Sequence, residues 1–268
     1  MRVLVTGSKG MLGAAVCVEA KRRGLTVRGY SHLELDITNL PAAYKAVTAY
    51  KPDVVINCAG IVKGLRQPDV NYVLCNGVGP HILAECADMA EARLIHVSTD
   101  CVYSGHGKRD GYYEDALPDP PDLYGRSKLA GEVYRSPHLT VRTSFIGFGE
   151  HGLLNWVLNE ADGIIPGYTD SWWNGLTAPT AARALIDLAL SDKTGLIHLG
   201  TQRAMSKNET IRHIVDLFGL QKKVADVVAP ADMAVLRVLL SRRQTEWLNI
   251  PPLPAQIAEL ARIWRERK

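Results

Sequence analysis

The chain has 268 residues, 47% apolar and 22% charged, an ordinary globular mix of a size for one or two domains. A net charge of +3 with scattered basic residues gives no nucleic-acid footprint, and no apolar stretch approaches the roughly 18–20 residues that span a bilayer. The five cysteines form no C-x-x-C pair and the eight histidines are dispersed, which points to reduced thiols and no metal site.

Met1 runs straight into an apolar segment with no longer leader, so a cytoplasmic location is expected. Residues 3–6 are rich in β-branched side chains and read as a strand. Residues 11–23 carry a helical stripe of Leu12, Ala15, Val16 and Ala20, ended by Gly24. Residues 25–30 read as a second strand, 41–50 as a helix with proline in its first turn, and 54–57 as a third strand. A helix is predicted within 76–89, a strand over 94–98, a helix over about 124–135 and a strand over 139–143. Beyond residue 147 the rhythm weakens: a helix over 180–190, a strand over 196–199 and helices over 207–218 and 255–267 are predicted, with 248–254 a proline-rich loop. The stretches 106–123 and 163–178 read as long irregular loops, which are often functional.

Alternation of strands and helices implies an α/β fold with a doubly wound parallel sheet, whose ligands bind beyond the carboxyl ends of the strands. The expected division is a dinucleotide-binding domain over 1–150, with parts of about 176–200 packing back onto it, and a small, mixed substrate-binding region over 151–268.

Chemistry is therefore sought after each apolar run. Gly7, Gly10 and Gly13 follow the first strand in a G-x-x-G-x-x-G spacing: a tight turn, a close backbone approach to a pyrophosphate, and close helix–strand packing. Ser8, Lys9, Met11 and Leu12 complete a cradle in which free N–H groups at a helix start receive the anion. Three glycines alone are a weak signal, but their place between strand and helix strengthens it. No acid ends the second strand to hold ribose hydroxyls, whereas Lys9 and Arg28 are nearby cations and Ser31 is a donor for a 2′-phosphate. NADP(H) is therefore favoured, with NAD(H) the alternative.

Tyr124 and Lys128 lie four residues apart, on one face of a helix. A lysine cation near a tyrosine hydroxyl lowers its pKa from about 10, and such a tyrosine exchanges a proton with a carbonyl oxygen. Thr99 lies at the carboxyl end of the preceding strand, placed to hydrogen-bond the same oxygen or to cap the local turn.

With these residues in place the chain resembles the extended short-chain dehydrogenase/reductases with their Rossmann-like fold, and most the dTDP-4-dehydrorhamnose reductase branch of sugar-nucleotide enzymes. The resemblance is carried by the glycine loop, Asp36-Ile37-Thr38, Asn57-Cys58-Ala59-Gly60, Asn76, Ser98-Thr99-Asp100-Cys101-Val102-Tyr103, Tyr124 and Lys128 followed by Leu129-Ala130-Gly131-Glu132, and Arg142-Thr143-Ser144. It implies that Asp36 and Ile37 contact adenine, that Cys58, Ala59 and Gly60 line the dinucleotide, and that Lys128 also binds the nicotinamide ribose. It implies that residues 142–144 lead toward the substrate, and that a homodimer reduces a nucleotide-linked 4-keto-6-deoxy sugar in sugar-nucleotide or surface polysaccharide synthesis.

Two departures bear on the substrate. The branch carries an R-P-x-N-type segment where this chain reads Pro230-Ala231-Asp232-Met233, which leaves Lys207, Arg237, Arg242 and Arg243 as candidates for the substrate's diphosphate. Trp172-Trp173-Asn174-Gly175 offers a stacking surface for a sugar or base, or core packing. Cys101 stands where the branch often has an aromatic residue. The related GDP-fucose synthase group has cysteine there and uses a later histidine, a place matched by His151. An NAD(P)-dependent epimerase or epimerase–reductase is thus the enzymatic alternative, with Cys101 and His151 as its acid and base. A non-catalytic dinucleotide-binding regulatory protein is the alternative of another class.

Overall fold

The computed structural model describes residues 1–106, 110–161, 163–243 and 245–267. The elements run β1 (Arg2–Thr6), α1 (Met11–Arg22), β2 (Thr26–Tyr30), α2 (Leu40–Tyr50), β3 (Val54–Asn57), α3 (Asp69–Tyr72), α4 (Gly79–Met89), β4 (Arg93–Thr99), α5 (Leu123–Ala130), β5 (Leu139–Thr143) and β6 (Phe145–Ile146). They continue with α6 (Leu153–Asn159), β7 (Ile164–Tyr168), β8 (Trp172–Trp173), β9 (Leu176–Thr177), α7 (Ala178–Ala189), β10 (Gly195–Leu199), β11 (Met205–Ser206), α8 (Lys207–Phe218), β12 (Lys223–Val227), β13 (Leu236–Arg237) and α9 (Leu253–Glu266).

Six strands form one parallel sheet in the order β10-β5-β4-β3-β1-β2. Its inner strands β1, β3, β4 and β5 are short and almost wholly buried, as a sheet covered on both faces requires, while the edge strand β2 is partly exposed. One face, with Val3, Val5, Ile95 and Val141, packs under α1 and α7; the other, with Leu4, Val55 and Leu94, packs under α2 and α4. The chain winds one way from β1 to β2 and the other way from β3 onward. The carboxyl ends of β1 and β3, paired at Thr6 and Asn57, therefore border the crevice of a Rossmann-like, doubly wound sheet.

The remaining elements build a second core around Ile146, Leu154, Ile165, Ile214 and Leu260. In place of the irregular 163–178 loop stand β7, β8 and β9. β7 pairs with the distant β12, and β8 lies between β11 and β13, so these short strands owe their form to pairing partners remote in sequence. The helix predicted over 76–89 is preceded by α3 and a π-helical stretch, Val73–Val78. Pro80 has no N–H to return to the Asn76 carbonyl, and the backbone of Gly131 sits against that oxygen. α5 stops at Ala130 rather than near 135, because the chain turns at Gly131 to send Glu132 inward.

Candidate active site

The cradle is built as its spacing requires. Gly7 has φ +67°, and a Cβ on it would lie 2.7 Å from the amide nitrogen of Ala59; one on Gly13 would lie 2.2 Å from the Gly7 carbonyl. Gly10 caps α1 with no side-chain bond, and the first turn holds no acid, so the helix N-terminus is open to an anion. Ser8 is fixed by its N–H to the Tyr30 carbonyl, Lys9 is exposed, Leu12 is buried in the core, and Met11 packs beneath Gly147 and Gly149. Glycine backbone pressed into the crevice and a bare helix start fit a dinucleotide's pyrophosphate.

At the end of β2 the expected 2′-phosphate donor has a partner of its own. Ser31 is buried, and its hydroxyl and N–H both donate to Glu34, at 2.6 and 2.8 Å. Its hydroxyl thus has a carboxylate partner. Those two bonds hold the Glu34 carboxyl below its usual range, helped by Lys9 and Arg28. Asp36 is exposed and caps Thr38 through its N–H and hydroxyl, while Ile37 is buried against Gly79.

Two buried asparagines shape the segment after β3. Asn57 accepts from Thr6 Oγ1 at 2.6 Å and from the Ala59 N–H at 3.0 Å; the Asn76 amide accepts from Ile61 N–H and donates to its carbonyl, at 2.8 and 2.9 Å. Cys58 and Ala59 are half-buried and Gly60 is exposed, beside Asn76 and Lys128. Burial pushes the Cys58 thiol well up.

Thr99, Tyr124 and Lys128 meet at the end of β4. Lys128 is buried, donates to the Val97 carbonyl at 2.7 Å and is pushed down to about 8 by desolvation. The Tyr124 phenol is raised rather than lowered: burial dominates, Cys101 adds to it, and the opposing pull comes from the Thr99 hydroxyl. Thr99 also accepts the Cys101 N–H at 3.1 Å. Asp122 caps α5 through the Gly125 N–H at 2.8 Å. A Cβ on Gly125 would lie 2.3 Å from the Cys101 carbonyl, so α5 rests directly on the turn that follows β4.

Sequence reasoning passed over Asp100, which is buried in the same turn. Burial raises its carboxyl, opposed by Arg237 and by hydrogen bonds from Cys101, Thr99 and Ser144. Ser144 in turn accepts from Trp173 Nε1 at 2.9 Å. The signal available was an acid directly after the strand-end threonine.

Of the four proposed anion ligands, the structure brings two to this floor. Arg237 donates to the carbonyls of Tyr103 and Ser104, at 3.0 and 3.2 Å, and reaches Cys101 Sγ at 3.4 Å. Lys207 starts α8 over the Tyr168 ring, within the fields of Arg237, Lys63 and Asp100. Arg242 instead pairs with Asp115 and covers the Tyr113 ring, and Arg243 donates to the Thr194 carbonyl just before β10 begins. Asn174 is buried and brackets Leu239 and Thr201, a structural clamp, while Trp172 is partly exposed. The Cys101 thiol is pushed up to about 12 by burial and Asp100, so at neutral pH it can donate a proton but not accept one. His151 is exposed on the turn before α6.

Beneath the site lies a buried ion pair. Arg142 and Glu132 meet at 2.7 Å; Ser98 donates to Glu132 at 2.5 Å, and Arg142 donates to the Tyr103 hydroxyl at 2.6 Å. Arg142 braces β4 and β5 from within at the start of the 142–144 segment, and Ser144, two residues on, bonds the Asp100 carboxyl. Among the described residues no group of three or more His, Cys, Asp or Glu side chains is placed to hold a metal ion, and no helix is long and apolar enough to cross a membrane.

The family model of the RmlD substrate binding domain matches residues 1–267. The probable low-salt glycan biosynthesis reductase Agl14 of Haloferax volcanii is 30% identical over 259 residues, covering 87% of this chain and 85% of its own. A dTDP-4-dehydrorhamnose reductase structure from Clostridium acetobutylicum superposes with a TM-score of 0.87 at 25% identity, over 99% of this chain and 100% of that one. One from Bacillus anthracis, in complex with NADP, gives 0.85 at 23% identity, over 100% and 99%.

Proposed function

We propose that this chain, which belongs to the family of the RmlD substrate binding domain, is an NAD(P)H-dependent reductase of a nucleotide-linked keto-sugar of the 4-keto-6-deoxy type. NADP(H) is the favoured cofactor and NAD(H) the second. The observation that carries the reading is the convergence of Thr99, Tyr124 and Lys128 at the end of β4, with only β3 between it and the glycine cradle of β1.

Gly7, Gly10, Gly13 and the start of α1 would hold the pyrophosphate, with Ser8, Lys9, Met11 and Leu12 around it. Asp36 and Ile37 would border the adenosine, and Cys58, Ala59, Gly60 and Lys128 the nicotinamide end. When bound, the reduced nicotinamide supplies a hydride to the carbonyl carbon. Thr99 orients the carbonyl oxygen, and the Tyr124 phenol, kept neutral by burial, gives that oxygen its proton as negative charge develops. Lys128, charged below about pH 8, holds the ribose and favours the phenolate left behind. Arg237 and Lys207 face the substrate's diphosphate.

We assign dinucleotide binding to 1–150 together with the returning 176–200 stretch, and substrate binding mainly to the rest of 151–268. The five free thiols suit work in the reducing cytoplasm, and a homodimer acting on a nucleotide sugar, without nucleic acid, is the form proposed. Incubation with NADPH and a panel of keto-sugar nucleotides, following cofactor absorbance and product stereochemistry, tests the reading. Oxidation of NADPH by at least one member is expected; tight NADPH binding with no turnover across the panel would point to a regulatory protein instead.

A further inference from the structure

Lys63 lies three residues past Gly60 on the segment leaving β3, and its ammonium meets the Asp122 carboxylate at 2.7 Å. The other oxygen of Asp122 is engaged as the N-cap of α5. The pair therefore ties the loop beyond β3 to the first turn of the helix that carries Tyr124. Lys63 is the more open partner, with 57% of its side chain exposed against 32% for Asp122, so it is the one free to move.

The charge of Lys63 also reaches inward. Together with Arg237 it bears on the Cys101 thiol, and both bear on Lys207. Lys63 sits on Asp122 two residues before Tyr124, and Arg237 reaches Cys101 Sγ at 3.4 Å, so the three cations act on the same turn after β4. Arg237 is pinned by main-chain carbonyls and Lys207 rests on the Tyr168 ring. Lys63 alone is held there by a half-exposed ion pair, an interaction that stabilises little and is easily exchanged.

We propose that Lys63 is a specificity-determining residue that reads the diphosphate of a nucleotide-linked substrate, leaving Asp122 for the phosphate oxygens, so that the Lys63–Asp122 pair is the resting latch of the cleft. This rests on the reading of the substrate as a nucleotide sugar. A diphosphate carries more negative charge than one carboxylate and accepts from an ammonium, an arginine and a second lysine at once. Asp122 keeps its bond to the Gly125 N–H when Lys63 departs, so the exchange leaves α5 and Tyr124 in place.

The test is the affinity of the NADPH-loaded enzyme for dTDP and UDP, measured by titration calorimetry, with the uncharged nucleosides as controls. Lys63→Met is expected to weaken both diphosphates about tenfold, with Lys63→Arg restoring most of the loss and NADPH affinity unmoved. Asp122→Asn, which retains a capping side chain, is expected to tighten them severalfold because the lysine is released. Unchanged diphosphate affinity in Lys63→Met overturns the proposal. So does equal weakening by Asp122→Asn, the mark of a merely structural pair, and so does a wild-type enzyme that binds neither diphosphate. Lys63-dependent diphosphate binding without reduction of any keto-sugar nucleotide would leave the latch standing and sink the reductase reading instead.

Discussion

The Lys128 ammonium donates to the main-chain carbonyl of Val97 at 2.7 Å, two residues before Thr99. One hydrogen bond thus fastens the face of α5 that bears Tyr124 to the strand that ends in Thr99, and the partner the lysine meets there is a carbonyl in a buried setting. Its burial is what draws it down to about 8.

The proposed mechanism needs the ammonium, so kcat/KM for reduction is expected to fall as pH rises through about 8, and Lys128→Met to remove that limb along with most of the rate. A pH–rate profile of the two proteins checks this.

The same lysine costs stability. Its folded pKa lies below its unfolded one, so between about 8 and about 10.4 the unfolded chain holds more protons and stability rises with pH across that window. At neutral pH the full cost is present. Lys128→Met is therefore expected to stabilise the fold by about 1–2 kcal/mol while abolishing turnover, read as a higher midpoint in denaturant.

Tyr124→Phe removes the proposed proton donor and little else. A loss of about 10²–10⁴-fold in kcat is expected, with NADPH affinity retained in fluorescence titration. Loss of cofactor binding in parallel would mean that the phenol has a structural role instead.

Gly13→Ala forces a Cβ to within 2.2 Å of the Gly7 carbonyl, so the turn must open. Cofactor affinity should fall by about tenfold or more, equivalent to about 1.4 kcal/mol, and direct titration with NADPH measures it.

Glu132→Gln strips the carboxylate from a fully buried guanidinium, which is expected to cost about 3–5 kcal/mol in equilibrium unfolding. Replacing Glu132 and Arg142 together with apolar residues should cost less than Glu132→Gln alone, since no unpaired charge is then buried.

The parts legible in the sequence are those whose geometry is local. The turn between β1 and α1 needs glycine at fixed spacings, and Tyr124 and Lys128 share a face through helix periodicity alone. The bond from Ser31 to Glu34 was not legible, because the return of Glu34 three residues later is a turn closure, not a strand property. Arg237 and Arg242, five residues apart, could not be told apart beforehand. What separates them is the register of β13 on β8, which sets Arg237 beside Trp173 and carries Arg242 past the end of the strand to Asp115. Lys63 carried no signal at all, because its partner lies 59 residues away on another element.

Gly125 touches the Cys101 carbonyl with no side chain between them. The proposed proton donor and the turn after β4 are therefore geared together: any enlargement at residue 101 that shifts the turn also displaces Tyr124. Substrate range in this scaffold should consequently be redrawn through β13 and the start of α8, where Arg237 and Lys207 act on the site through side chains and can be altered one residue at a time.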